Sequence, residues 1–165
     1  MAIRDALLHE YDHEMATTRR LLERVPEQHF AWKPHEKSMT LGQLAGHLSN
    51  LPYWASAVLG APFFDLAAGG DMRPKEPASR EVLLTQFDER VATARKLLAN
   101  CGDPELLARW SLRRGAEELF TMPRITALRS FVMNHTIHHR GQLSVYLRMH
   151  NVPIPPIYGP SADEA

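Results

Sequence analysis

Four stretches of the chain repeat their apolar residues at steps of three and four, the spacing that lines up side chains on one face of an α-helix. The first runs from about Ala2 to Arg24 through Ile3, Leu7, Tyr11, Met15, Thr18 and Leu22, with Pro26 just past its end. The second starts at Thr40, where Thr40 and Gln43 have capping-box spacing, and continues through Leu41, Leu44, Leu48, Leu51, Ala55 and Val58. Pro52 falls inside this pattern and predicts a kink or a break. Ser79 can cap the third, which carries Val82, Leu83, Phe87, Val91, Ala94, Leu97 and Leu98 inward and has Gly102 after its end. The fourth, from near Ile125 to near Asn151, holds Leu128, Phe131, Val132, Leu143, Tyr146 and Met149 on its periodic face.

No segment alternates with period two, so the pattern predicts an all-α domain. The weakest stretch is 105–124, where Trp110-Ser111-Leu112 and Glu118-Leu119-Phe120 read as short strands or turns. The connections at about 26–39, 60–78 and 103–124 are long for a compact bundle. They permit crossovers in place of hairpins, or cover a pocket or a dimer surface. From Val152 to Pro160 the chain holds four prolines in nine residues, which excludes a helix there. Apolar residues in the connections and this tail (Phe63, Phe64, Trp110, Ile154, Ile157) predict a homodimer, unless the tail folds back over its own bundle.

Composition adds exclusions more than identity. The chain of 165 residues fits one domain, 1–165, that needs no disulfide staple. Acidic and basic residues number 19 each, so the chain lacks the basic field of a general nucleic-acid binder. Cys101 is the only cysteine, so no intrachain disulfide can form and a reducing compartment is the simpler expectation. Arg4, Asp5, His9 and Glu10 come too early for a secretory signal, and no apolar run approaches the roughly 20 residues of a membrane span. These features lead us to expect a cytoplasmic protein with a small-molecule substrate and neither nucleic acid nor membrane as partner.

The candidate chemistry lies in nine histidines. At about 100° per residue, Leu128, Phe131, His135, His139, Gln142 and Tyr146 fall within about 40° of one direction on the fourth helix. His135 and His139 thus sit mid-face, where burying two rings without partners costs several kcal/mol. A shared metal would satisfy both rings. His47, between Leu44 and Leu51 on the second helix, is the natural third ligand. Three imidazoles leave coordination positions open, as catalytic sites do. Zinc, nickel, iron and copper all accept imidazole, so the ligand set does not choose among them, and zinc or nickel is the first expectation. The bland alternative is a set of hydrogen-bonded core histidines, because an HxxxH pair alone is a weak signal. His9 and His13 share that spacing yet point away from Leu7, Tyr11 and Met15, so they read as solvated. His29, His35 and His150 read as structural or exposed, and His138 as a neighbour of the site, a surface residue or an alternative ligand. Tyr11, Trp54, Gln142 and Tyr146 are candidates for a pocket lining, against the alternative that the aromatics are core. Arg140 is expected to point outward.

Three motifs in order resemble one family. Thr40-Leu41-Gly42-Gln43-Leu44-Ala45-Gly46-His47-Leu48, followed by Pro52-Tyr53-Trp54, is similar to the second-helix motif of the DinB/YfiT-like family. Asn134-His135-Thr136-Ile137-His138-His139-Arg140-Gly141-Gln142-Leu143 resembles its HxxxHRGQ motif, and Ile157 to Glu164 resembles its C-terminus. The resemblance implies an up-down-down-up four-helix bundle with a long crossover between helices two and three. It also implies a metal held by His47, His135 and His139, and dimers as among relatives. Assigned activities in the family include bacillithiol- or mycothiol-dependent S-transferases and a mycothiol-dependent isomerase.

The leading expectation is therefore a metal-dependent thiol S-transferase with a low-molecular-weight thiol as cosubstrate and a small electrophile as target. The alternatives are a metal-dependent hydrolase and a non-catalytic metal-binding module. The hydrolase would need a carboxylate base, for which Glu14 is the one acid near the inward face of the first helix.

Overall fold

The computed structural model describes residues 2–69 and 73–164. Helix α1 (Ile3–Leu22) buries Leu7, Tyr11, Met15, Thr18 and Leu22, the face its periodicity predicts. A short 3-10 turn, Glu27–His29, leads to α2 (Leu41–Asn50). There Thr40 Oγ1 accepts from the Gln43 amide at 3.1 Å and Gln43 Oε1 accepts from the Thr40 amide at 3.0 Å. The capping box satisfies two donors that an uncapped helix would leave open. Pro52 interrupts the pattern as expected, and α3 (Tyr53–Gly60) follows. After strand β1 (Phe63–Asp65), Ser79 Oγ caps α4 (Arg80–Asn100) by accepting from the Val82 amide. Then come α5 (Asp103–Leu107), β2 (Arg109–Arg114), β3 (Glu117–Pro123) and α6 (Arg124–Leu128). A π-helical turn, Arg129–Asn134, joins α6 without a break to α7 (His135–Met149).

The expectation of an all-α four-helix bundle is wrong. The protein is mostly helical, but it carries a three-stranded mixed sheet in the order β1-β2-β3, with β1 parallel and β3 antiparallel to β2. Strands β2 and β3 lie where Trp110-Ser111-Leu112 and Glu118-Leu119-Phe120 read as short strands or turns, and their lack of a period-two pattern has a physical reason. Trp110, Ser111 and Leu112 are buried one after another, because the central strand is covered on both faces, so β2 shows no alternation. Strand β1 is only three residues long. Gly115, at φ 59°, takes the left-handed conformation that the tight β2–β3 turn demands. Asp65 Oδ1 accepts from its amide at 2.9 Å and ties the edge strand to that turn.

Helices α1 and α2 each pack against both α4 and α7, while the sheet contacts α3 and α6. The core between them is largely apolar and encloses one buried ion pair. Arg140 on α7 is 1% exposed and Glu14 on α1 is 5% exposed, with Arg140 Nη2 2.6 Å from Glu14 Oε2. Arg140 Nη1 donates to the Glu14 carbonyl and to Thr18 Oγ1, and the Tyr158 hydroxyl donates to the Glu14 carboxylate at 2.9 Å. The expected outward Arg140 is thus corrected. Helix α7 is covered on two sides, and the side opposite α2 faces a carboxylate.

The tail folds back over its own chain. Glu164 pairs with Arg24, Asp163 pairs with Arg148 and accepts from the Ile154 amide, and Arg20 donates to the Pro156 carbonyl. Trp110 and Ile154 are buried within the chain. Of the residues on which the dimer expectation rested, only Phe63 is exposed, so that argument for a homodimer falls away. Among the described residues no helix is long and apolar enough to cross a membrane.

Arg140→Ala would leave a carboxylate buried without its counter-charge. We expect a loss of about 3–5 kcal/mol in urea denaturation, against the near-neutral effect of cutting an exposed pair. The double change Glu14→Leu with Arg140→Leu should recover much of that loss.

Candidate metal centre

Two helices far apart in sequence meet at one point. Helix α2 supplies His47, and α7 supplies His135 and His139 one turn apart. The His47 and His135 Nε2 atoms are 3.3 Å apart, and those of His135 and His139 are 2.9 Å apart. One ring nitrogen from each histidine lies within 4.8 Å of the others. With metal–nitrogen bonds of about 2.0–2.1 Å, neighbouring ligand atoms sit about 3.3 Å apart in tetrahedral and about 2.9 Å apart in octahedral geometry. The two short separations are on that scale and the third pair lies within 4.8 Å, so the three rings could hold one divalent ion. Among the described residues no carboxylate or thiol joins the three rings.

The electrostatics keep the rings neutral, which is the form that ligates. Burial first, then the His139 and His135 rings, push the His47 imidazole down to about 4. Burial and then His138 lower His135, while the Phe131 backbone, bonded to its ring, opposes them. Burial also lowers His139, against the opposing hydrogen bond to Gln142. That bond, 2.7 Å from His139 Nδ1 to Gln142 Oε1, places the proton on Nδ1 and leaves the Nε2 lone pair facing the other rings.

The lining candidates divide. His138 and Gln142 both touch His139, the first by ring contact at 4.8 Å. Trp54 is one residue removed: it packs on Phe131, whose backbone bonds the His135 ring. Tyr11 and Tyr146 lie elsewhere. The Tyr11 hydroxyl donates to the Val91 carbonyl in the core, and Tyr146 packs edge-on against Trp32 and donates to the Met39 carbonyl. His9 and His13 are exposed, as expected.

Sequence reasoning missed a cavity of about 440 Å³ that has His47 in its wall. Helix α2 contributes His47 and Asn50, α4 contributes Gln86 and Arg90, and segment 73–78 roofs it through residues such as Lys75 and Glu76. Gly46 allows this roof. A Cβ at that position would lie 2.1 Å from the Lys75 carbonyl oxygen. A glycine next to a candidate ligand was the available signal.

Fold and side chains together define a mostly helical protein in which two helices bring three imidazoles together. The chain belongs to the DinB family, whose model matches residues 3–165. A curated relative of Bacillus subtilis (strain 168), the uncharacterized protein YrdA, is 24% identical over 164 residues, which is 97% of this chain and 90% of the relative. Two crystal structures share the fold. One is a DinB-like protein from Bacillus cereus ATCC 10987, at 21% identity and a TM-score of 0.72 over 95% of this chain and 98% of that one. The other is the DinB-like protein YjoA from Bacillus subtilis, at 20% identity and a TM-score of 0.70 over 93% and 98%.

The depressed histidines set a pH dependence for the metal-free protein. Their folded-state pKa values lie below the ordinary value near 6.5, so the unfolded chain binds protons first on acidification. This contribution to stability is complete above about 6.5 and is lost as the pH falls towards about 4. Thermal melts of chelator-treated protein should therefore drop between pH 7 and 4.5, with a shallower drop for His47→Gln. Equal slopes in the two proteins would contradict this account.

Proposed function

We propose that His47, His135 and His139 bind one divalent transition metal, zinc or nickel before iron or copper, and that the protein is a metal-dependent thiol S-transferase acting on small electrophiles. The observation that carries the reading is the convergence of three neutral Nε2 atoms with no fourth protein ligand among the described residues. Three protein ligands and open positions are the arrangement of catalytic rather than structural sites. Membership of the DinB family supports the same assignment.

When bound, such a metal supplies the positive charge that makes a coordinating thiol ionise near neutral pH. The chain's own residues do the rest. Gln142 orients His139 through its Nδ1 proton. The apolar surroundings keep all three rings uncharged and so available as ligands.

The chain's one thiol is not placed to act as the nucleophile. Cys101 is buried beyond the end of α4, and burial pushes its thiol up to about 11. The hydrolase alternative loses its candidate base, because Glu14 is engaged by Arg140 and Tyr158 in the core.

Metal analysis of purified variants tests the ligands. His135→Ala and His139→Ala should each lose the metal, whereas His9→Ala should keep it. Full occupancy in either of the first two would overturn the assignment. The reaction is tested by loading the protein with zinc or nickel and following conjugation of monochlorobimane to bacillithiol or mycothiol. The loaded protein should accelerate conjugation and the His135→Ala protein should not. Equal rates would remove the transferase reading and leave the metal assignment standing.

A further inference from the structure

We propose that the cavity beside His47 binds a small carboxylate-bearing molecule whose carboxylate docks on Arg90 and Lys75. The proposal deepens the functional reading, since it names the substrate class of the same site, and it rests on that reading only for what happens at His47.

Arg90 is the central observation. It lies half-buried in the cavity wall, and its hydrogen bonds run from Nη1 alone to the Ser49 carbonyl at 3.4 Å and Ser49 Oγ at 3.3 Å. Both partners are neutral and both bonds are long. Among the described residues no carboxylate comes within ion-pair distance of Arg90, whereas Arg19, Arg95, Arg140 and Arg148 all have one. A guanidinium carries five donors in a planar fork that matches a carboxylate, so most of its capacity is left for a ligand.

The surroundings agree. Among the described lining residues, Lys75 adds a second cation to Arg90, and Glu76 is the one acid. The Glu76 carboxylate accepts from Thr40 Oγ1 at 3.4 Å, outside the Arg90 end. The first turn of α4, a helix of 21 residues, borders the cavity at Val82 and adds the positive end of its dipole. Asn50 and Gln86 offer amide groups that can orient the rest of the ligand. The volume of about 440 Å³ is that of a small-molecule site, which typically spans about 300–1,000 Å³. His47 belongs both to this wall and to the histidine cluster, so a molecule anchored at Arg90 reaches towards the three rings.

Isothermal titration of the full chain, treated with chelator, tests the cavity without any metal. The probes are succinate, its neutral counterpart succinamide, and inorganic phosphate. Succinate should bind, and succinamide and phosphate should each bind at least about tenfold more weakly. Arg90→Gln should weaken succinate by at least about tenfold, and Lys75→Gln by a smaller factor. Lys75 is exposed, so its variant stays informative even if Arg90→Gln does not fold. Unchanged succinate binding in Lys75→Gln and in a folded Arg90→Gln would overturn the proposal. So would succinamide or phosphate binding as tightly as succinate. Metal content of the His135→Ala and His139→Ala proteins is read separately. Succinate bound through Arg90 by protein whose histidine variants keep their metal would defeat the metal reading alone, and the reverse pattern would defeat the cavity alone.

Discussion

Arg140 and Glu14 form an ion pair in the middle of the helical core, 2.6 Å apart and almost wholly out of water. Two charges in such a place are tolerated only in a tight geometry with their remaining donors and acceptors filled. Thr18, the Glu14 carbonyl and the Tyr158 hydroxyl fill them. The pair therefore fixes the rotation of α7 about its own axis. Arg140 follows His139 in sequence, so pointing Arg140 at α1 turns His139, about 100° away, towards α2. Helix α7 packs against both of those helices, and each presents its own polar answer: Glu14 on one side, His47 on the other. The tail belongs to the same arrangement, since Tyr158 completes the shell of the pair.

The histidine cluster and the cavity meet in a single residue but follow different physics. The cluster depends on burial, which strips water from three rings and holds them neutral. The cavity depends on incomplete burial, because segment 73–78 bridges from α2 to the start of α4 and leaves a cation facing open space. Gly46 connects the two. Its missing side chain lets the backbone of that segment rest on α2, one residue before His47.

Much of this was legible in the sequence, and the illegible parts share a cause. Thr40 with Gln43, Ser79 and Pro52 mark helix ends through local chemistry, and the structure places those ends where they predict. His135 and His139 were legible because one helical turn puts them on one face. The sheet was legible only in part: Trp110 to Leu112 and Glu118 to Phe120 read as short strands or turns, but alternation appears only when one face meets water, and Trp110 to Leu112 meet it on neither. Arg140 was misread for a related reason. A periodic pattern assumes one buried face, whereas α7 has two, and the partner that makes an arginine tolerable there is 126 residues away. Tyr11 and Tyr146 share the helical spacing of site residues, yet spacing does not say which neighbour a face will meet. The cavity could not be read at all, since it arises where segment 73–78 and two helices happen to enclose space.

The π-helical turn at Arg129–Asn134 separates the last helical stretch into two parts with different tasks. The part before it, α6, answers to the sheet, and the part after it, α7, answers to α1 and α2. A π turn accommodates one extra residue within an otherwise continuous helix. The turn takes up that residue locally, so the helix on either side keeps nearly the orientation of an unbroken one; carried in a regular α-helix instead, the same residue would swing everything after it by about 100° relative to everything before it. Both His135 and Arg140 would then leave their partners at once, through a change that touches neither. The turn works as an angular spacer: it absorbs one residue so that the sheet-bound half of the helix and the half that carries His135 and Arg140 both keep their facing.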